Sequence, residues 1–98
     1  MYEEVLELFR EAAANRRVYL TIHANKELKS DRLTYADIIN CLLTGEVMAQ
    51  QFDRDEEKYV LYGDALSGAE IGVTVKLAYD QTSVIITVFR LRITDYDY

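Results

Sequence analysis

"TYADIINCLLTGEVMAQQF", residues 34–52, changes its hydrophobic period midway, and that change decides the fold. Up to Leu43 the apolar residues recur at helical spacing. Tyr35, Ile38, Ile39, Leu42 and Leu43 share one face, with Asp37 and Asn40 opposite. Thr34 is placed to cap this helix, and Asp37, three residues on, reaches back where a Glu is more usual, which makes a capping box. Gly45 is expected to end the helix in a left-handed cap. From Glu46 onward the period falls to two, and "EVMAQQF" reads as a strand.

Upstream of this switch the pattern is helical. Residues 3–14 place Val5, Leu6, Leu8, Phe9, Ala12 and Ala13 on one face, against Glu3, Glu7, Arg10 and Glu11 on the other. Residues 22–30 read as a second helix, with Thr21 as N-cap and Ala24 and Leu28 facing inward. "VYLT", 18–21, has strand propensity and reads either as a short edge strand or as the lead-in to that helix.

Downstream the pattern is all strand. "DRDEE" reads as a hairpin loop, "KYVLYG" (58–63) as the second strand and "DALSGAE" as the next connection. "IGVTVKLAY", 71–79, alternates: Ile71, Val73, Val75, Leu77 and Tyr79 on one face, Gly72, Thr74, Lys76 and Ala78 on the other. "VIITVFR", 84–90, closes the sheet, with Val84, Ile86, Val88 and Arg90 expected on the helix-covered face. Short connections imply antiparallel neighbours. The expectation is therefore an α+β fold, with helices packed on one face of a four-stranded antiparallel meander sheet and Thr74 and Lys76 on a wet opposite face. One domain is expected over residues 1–98: an N-terminal helix at 1–15, a core at 16–92 and an acidic tail at 93–98.

Composition narrows the function classes. Seventeen Asp and Glu face eleven Lys and Arg, a formal net charge of −6. A general nucleic-acid binder carries the opposite balance, because phosphate neutralisation supplies most of its affinity. DNA binding is thus not expected, and RNA binding is disfavoured. The basic residues do gather locally, in Arg16, Arg17, Lys26, Lys29 and Arg32, with Arg90 and Arg92 near the end. No apolar run approaches the ~20 residues that span a bilayer. The opening "MYEEVLELFR" is acidic where a secretion signal is basic. The lone cysteine permits no internal disulfide. Together these point to the cytoplasm.

Few residues carry chemistry. One His and one Cys cannot build a zinc site without carboxylates gathered from elsewhere, so no metal or cofactor is expected. The acids of "DRDEEKYVLYGD" alternate like a calcium loop, but Lys58 stands where that loop needs glycine. A Cys41–His23 dyad needs the second and third helices to pack together, and buried cysteines are usually inert. His23, near a helix N-terminus, is either a general base or a packing residue whose ring nitrogen bonds its neighbours. Arg90, at the rim of the last strand, either clamps a phosphate or pairs with a carboxylate such as Glu27 or Glu46. A small-ligand sensor in the helix–sheet cleft is a third class, with no residue in its favour.

"TIHA" (21–24), "LTYADI" (33–38), "LLTGEV" (42–47), "KYVLYG" and "VIITVFR" occur in an order that resembles the bacterial domain of unknown function 4258 family, over residues 18 to about 91. That family is in turn similar to the RelE and BrnT toxins, small ribonucleases with a helix pair on an antiparallel sheet. The resemblance implies His23 as general base and Arg90 as phosphate clamp, with Lys26, Arg32 and Arg92 as RNA contacts. It also exposes departures. The family pattern has arginines four and eight residues past the histidine, where this chain has Glu27 and Asp31. Its Gly-Arg and following histidine in the sheet correspond here to Gly68, Ala69 and Gly72. A metal-free ribonuclease needs positive charge around the scissile phosphate, and carboxylates reverse that field. The expectation is a catalytically degenerate toxin-like domain that works through a protein partner or homo-oligomer. The alternative is a metal-independent RNA endonuclease.

Overall fold

The computed structural model describes residues 1–91. Along them run α1 (Glu3–Ala14), β1 (Val18–Leu20), α2 (Ile22–Ser30), α3 (Tyr35–Thr44), β2 (Glu46–Asp53), β3 (Glu56–Asp64), β4 (Glu70–Leu77) and β5 (Ser83–Arg90). The fold is α+β, as the change of period implies. The sheet, however, has five strands in the order β1-β5-β4-β3-β2 and is mixed rather than antiparallel throughout. β2 to β5 form the expected meander. The added strand is β1, which lies parallel to β5 with Val18 opposite Ser83 and Leu20 opposite Ile85. Hairpin logic sees only strands adjacent in sequence. A three-residue strand that pairs with the far end of the chain escapes it.

The helices cover one sheet face. α3 packs on β3 and α1, and α2 on β5. The expected pairing of α2 with α3 gives way to this arrangement because each helix finds a different strand on which to bury its apolar stripe. Phe9, Ile38, Leu42, Leu61, Val73 and Ile85 are fully buried between the layers. Burying such side chains contributes roughly 1.5–3 kcal/mol each.

Polar contacts fix the helix ends. Thr34 Oγ1 accepts from the Asp37 N–H at 3.2 Å and the Thr34 N–H donates to Asp37 Oδ2 at 2.8 Å, so the expected capping box is present. The other Asp37 oxygen accepts from the Leu66 N–H at 2.9 Å, which ties the β3–β4 loop to α3. Burial opposes ionisation of Asp37. The Leu66 and Thr34 N–H groups, the Thr34 hydroxyl and the Arg90 charge outweigh it and hold the carboxyl below its ordinary pKa. α2 ends in a Schellman turn: the Leu33 N–H donates to Leu28 O and the Arg32 N–H to Lys29 O, with Arg32 at φ 58°.

Gly45 departs from expectation. Its φ is −84°, not left-handed. Glycine is required there by crowding, since a Cβ would stand 2.6 Å from Cys41 O and 2.7 Å from Tyr62 O. The β2–β3 hairpin is tighter than the expected loop. Arg54 and Asp55 both have positive φ, 53° and 68°, as a two-residue type I′ turn demands.

One register shift moves side chains between faces. Thr74 pairs with Thr87 and Val75 with Ile85, so Ile86 is an extra residue, a β-bulge. Ser83, Ile85 and Val88 are therefore the buried residues of β5, and Val84 and Ile86 leave the inner face on which alternation alone would put them.

Candidate functional site

The candidate residues gather around α2 and the outer edge of β5. β1 pairs with β5 only from Ser83 to Ile85, which leaves the rest of that edge open. α2 closes it. The Thr21 N–H donates to Ile85 O at 3.0 Å and its hydroxyl to Ile86 O at 3.4 Å. One turn further on, Glu27 Oε1 accepts the Val88 N–H at 2.8 Å. A neutral side chain of the same reach without an acceptor would leave that strand donor unsatisfied.

His23 lies in the first turn of α2, its side chain 68% exposed, with Nε2 3.2 Å from Glu27 Oε2. The two are neighbours at i, i+4 on the helix surface. Glu27 thus touches both the imidazole and the strand edge. At the other end of α2, Arg90 donates through Nε and Nη2 to the carbonyl of Asp31, the C-cap residue, at 3.1 and 2.9 Å. A guanidinium is favourable at a helix C-terminus.

His23 and Asp31 are eight residues apart, which separates them by about 12 Å along the helix axis at 1.5 Å per residue. The structure places His23 and Arg90 at opposite ends of α2 rather than around one point. A base and a clamp acting on a single phosphodiester must lie within hydrogen-bond reach of neighbouring atoms. Lys26 and Arg32 are both exposed. Arg92 and the tail at 93–98 lie outside the described residues.

Cys41 takes no part. It is fully buried in α3, against the β3 backbone at Gly63. Burial and the nearby Asp64 charge push its thiol up to about 12, so it is protonated at any physiological pH. Among the described residues no cluster of three His, Cys, Asp or Glu side chains is arranged to hold a metal ion. No helix among them is long and apolar enough to cross a membrane.

The opposite sheet face is less polar than Thr74 and Lys76 suggest. Gly72 pairs with Tyr62 on one side and Phe89 on the other. The two rings meet edge to face across it, centroids 6.2 Å apart. Val60, Val84 and Thr87 extend this surface, and none of the three is fully buried. Met48, beside Tyr62, is 54% exposed. The helices all lie on the other side. The sequence signal was a glycine within an alternating strand, but only the cross-strand register shows which aromatics flank it.

A family profile described as Domain of unknown function (DUF4258) matches residues 20–90. No curated protein and no solved structure matches the chain.

Proposed function

The chain belongs to the DUF4258 family, and from that premise we propose that it is a catalytically degenerate member with a RelE/BrnT toxin-like fold, acting by protein–protein interaction. The observation that carries this reading is the aromatic and aliphatic sheet face around Tyr62, Gly72 and Phe89, which no helix covers among the described residues. Contiguous apolar surface of this kind marks interaction sites. Tyr and Phe are enriched at the cores of such interfaces.

The state of α2 supports the same reading. Glu27 and Asp31 occupy positions where the family resemblance calls for arginine. Glu27 instead caps a strand N–H, and the Asp31 carbonyl engages Arg90. These contacts hold α2 against β5, and Glu27 puts a carboxylate rather than a cation beside His23. Residues 16–92 would form the working core, with 1–15 as a packed N-terminal helix and 93–98 as a tail. A buried, protonated thiol suits residence in the cytoplasm.

One observation favours a second reading. Glu27 holds the His23 imidazole by Nε2, and a carboxylate that orients a histidine is a recurring feature of general bases. On this reading the chain is a metal-independent RNA endonuclease with His23 as base. RNA binding separates the two. Fluorescence anisotropy of labelled single-stranded RNA at low salt should stay flat on the first reading. Saturable binding that weakens steeply with salt would reject it in favour of the second.

A further inference from the structure

We propose that the open edge of β2 binds an extended segment of a partner protein, rich in lysine or arginine, which joins the sheet as a sixth strand. This rests on the protein-interaction reading above and names the partner's chemistry.

The two edges of the sheet are finished differently. At the β1–β5 edge, side chains take up backbone groups that no strand reaches. Tyr35 Oη donates to Val18 O at 2.9 Å and Asn25 Nδ2 to Leu20 O at 3.4 Å. Glu27 accepts the Val88 N–H at 2.8 Å. β2, at the other edge, has β3 as its one strand neighbour among the described residues. The hairpin sets which of its groups face outward. In a two-residue hairpin the residues flanking the turn, here Asp53 and Glu56, form a hydrogen-bonded pair, and bonded and non-bonded pairs then alternate. Gln51 and Ala49 therefore bond to β3, while Phe52 and Gln50 aim their N–H and C=O groups away from it. The Gln50 side chain reaches Glu57 and Tyr59 on β3 and does not cover them. Among the described residues no group bonds these two donors and two acceptors.

An extended backbone offers matching groups at the same spacing, so the edge selects a strand. The regular stretch is short. A bulge at Met48 interrupts it, and Arg10 of α1 takes Gly45 O at 3.2 Å just before β2. Residues 49–53 therefore accept a segment of about five residues. β2 carries neither Lys nor Pro, two residues with which open edges are commonly protected.

Charge selects the composition of that segment. Along the hairpin, Glu46, Asp53, Asp55, Glu56 and Glu57 outnumber Arg54 and Lys58. Lys58 lies 3.5 Å from Asp53, and Lys76 reaches Glu56 from β4. Five carboxylates against these three cations leave a net charge of −2. Glu46, Asp55 and Glu57 are in no ion pair among the described residues. The β2 edge of a second copy would bring the same excess and be repelled, whereas a cationic strand is attracted. Phe52, 72% exposed, is paired directly with Glu57. A Lys or Arg added beside Phe52 can lie over the ring with its charge toward that carboxylate.

The probe is a heptapeptide of alternating lysine and valine, with a glutamate–valine heptapeptide as its acidic counterpart. NMR of nitrogen-15-labelled wild type follows a titration from about 10 μM to 1 mM peptide. The lysine peptide should bind, more weakly as salt rises, and should slow hydrogen exchange at the Gln50 and Phe52 amides. The glutamate peptide should not bind. Gln50→Pro removes one outward N–H, and proline is tolerated where an edge N–H faces solvent. It should weaken binding about fivefold or more, the worth of one net hydrogen bond. Circular dichroism confirms that the variant is folded, and the exchange measurement on wild type decides alone if it is not. No binding of the lysine peptide at about 1 mM overturns the proposal. So does binding that leaves the Gln50 and Phe52 amides unprotected, equal binding of the glutamate peptide, or undiminished binding by folded Gln50→Pro. Failure of the peptide together with flat RNA anisotropy removes the β2 edge and leaves the interaction reading intact. RNA cleavage that depends on His23 overturns that reading and this proposal with it.

Discussion

Glu27 accepts the backbone N–H of Val88 at 2.8 Å, so a helix side chain completes the hydrogen bonding of a strand edge that β1 is too short to cover. The same carboxylate contacts His23. Glu27→Ala should lower stability by about 1–2 kcal/mol, because the strand donor loses a charged acceptor. Glu27→Gln keeps an acceptor and should cost less. His23→Ala should cost under ~0.5 kcal/mol, since exposed ion pairs are worth little. Urea titration measures all three. Equal losses at Glu27 and His23 would show that the Val88 bond is not what matters.

Asp37 links the α3 capping box to the β3–β4 loop. Its carboxyl titrates below the ordinary value of 3.8 in the folded protein. A depressed folded value means that its stabilisation is fully present above the unfolded pKa and is lost as pH falls through the folded one. The stability difference between wild type and Asp37→Asn should be constant from pH 7 to about 5 and shrink below about 4. Removing the cap with Asp37→Ala should cost about 1–3 kcal/mol at neutral pH. A difference that grew on acidification would contradict the assigned sign.

The α3–β3 contact depends on a missing side chain. A Cβ on Gly63 would stand 2.4 Å from Cys41 O and 3.0 Å from Cys41 Sγ, and the oxygen cannot move without the helix. Gly63→Ala should therefore destabilise by about 3 kcal/mol. Gly68→Ala meets no atom within 4 Å and is strained only by its φ of 93°, so it should cost about 1 kcal/mol. Thermal melts of the two variants give the ranking directly.

Cys41 should resist thiol reagents at pH 8 in the native state and react at the rate of global opening, since burial holds it protonated. Fast labelling of folded protein would mean that the α3–β3 layer opens locally.

Much of the architecture was legible in the sequence because it rests on local periodicity. The α3 capping box, the period change after Gly45 and the β2–β5 meander all follow from residues near one another in the chain. What escaped depends on pairings between distant residues. β1 is three residues that gain strand identity only from Ser83–Ile85. The bulge at Ile86 leaves no mark in "VIITVFR", yet it decides which side chains face the core.

The candidate site was legible as residue types but not as geometry. His23 and Arg90 stood out as the histidine and the strand-end cation. Their placement at opposite ends of α2 depends on how that helix lies along β5. The partners of Glu27 could not be read either, because Val88 lies 61 residues away. The Tyr62–Phe89 pair over Gly72 needed three strands in register.

Cleavage of labelled single-stranded RNA at low salt, with wild type run beside His23→Ala, tests the central claim most directly. The account predicts no cleavage by either protein. Cleavage by the wild type that disappears in His23→Ala would contradict it and make the His23–Glu27 pair a catalytic one.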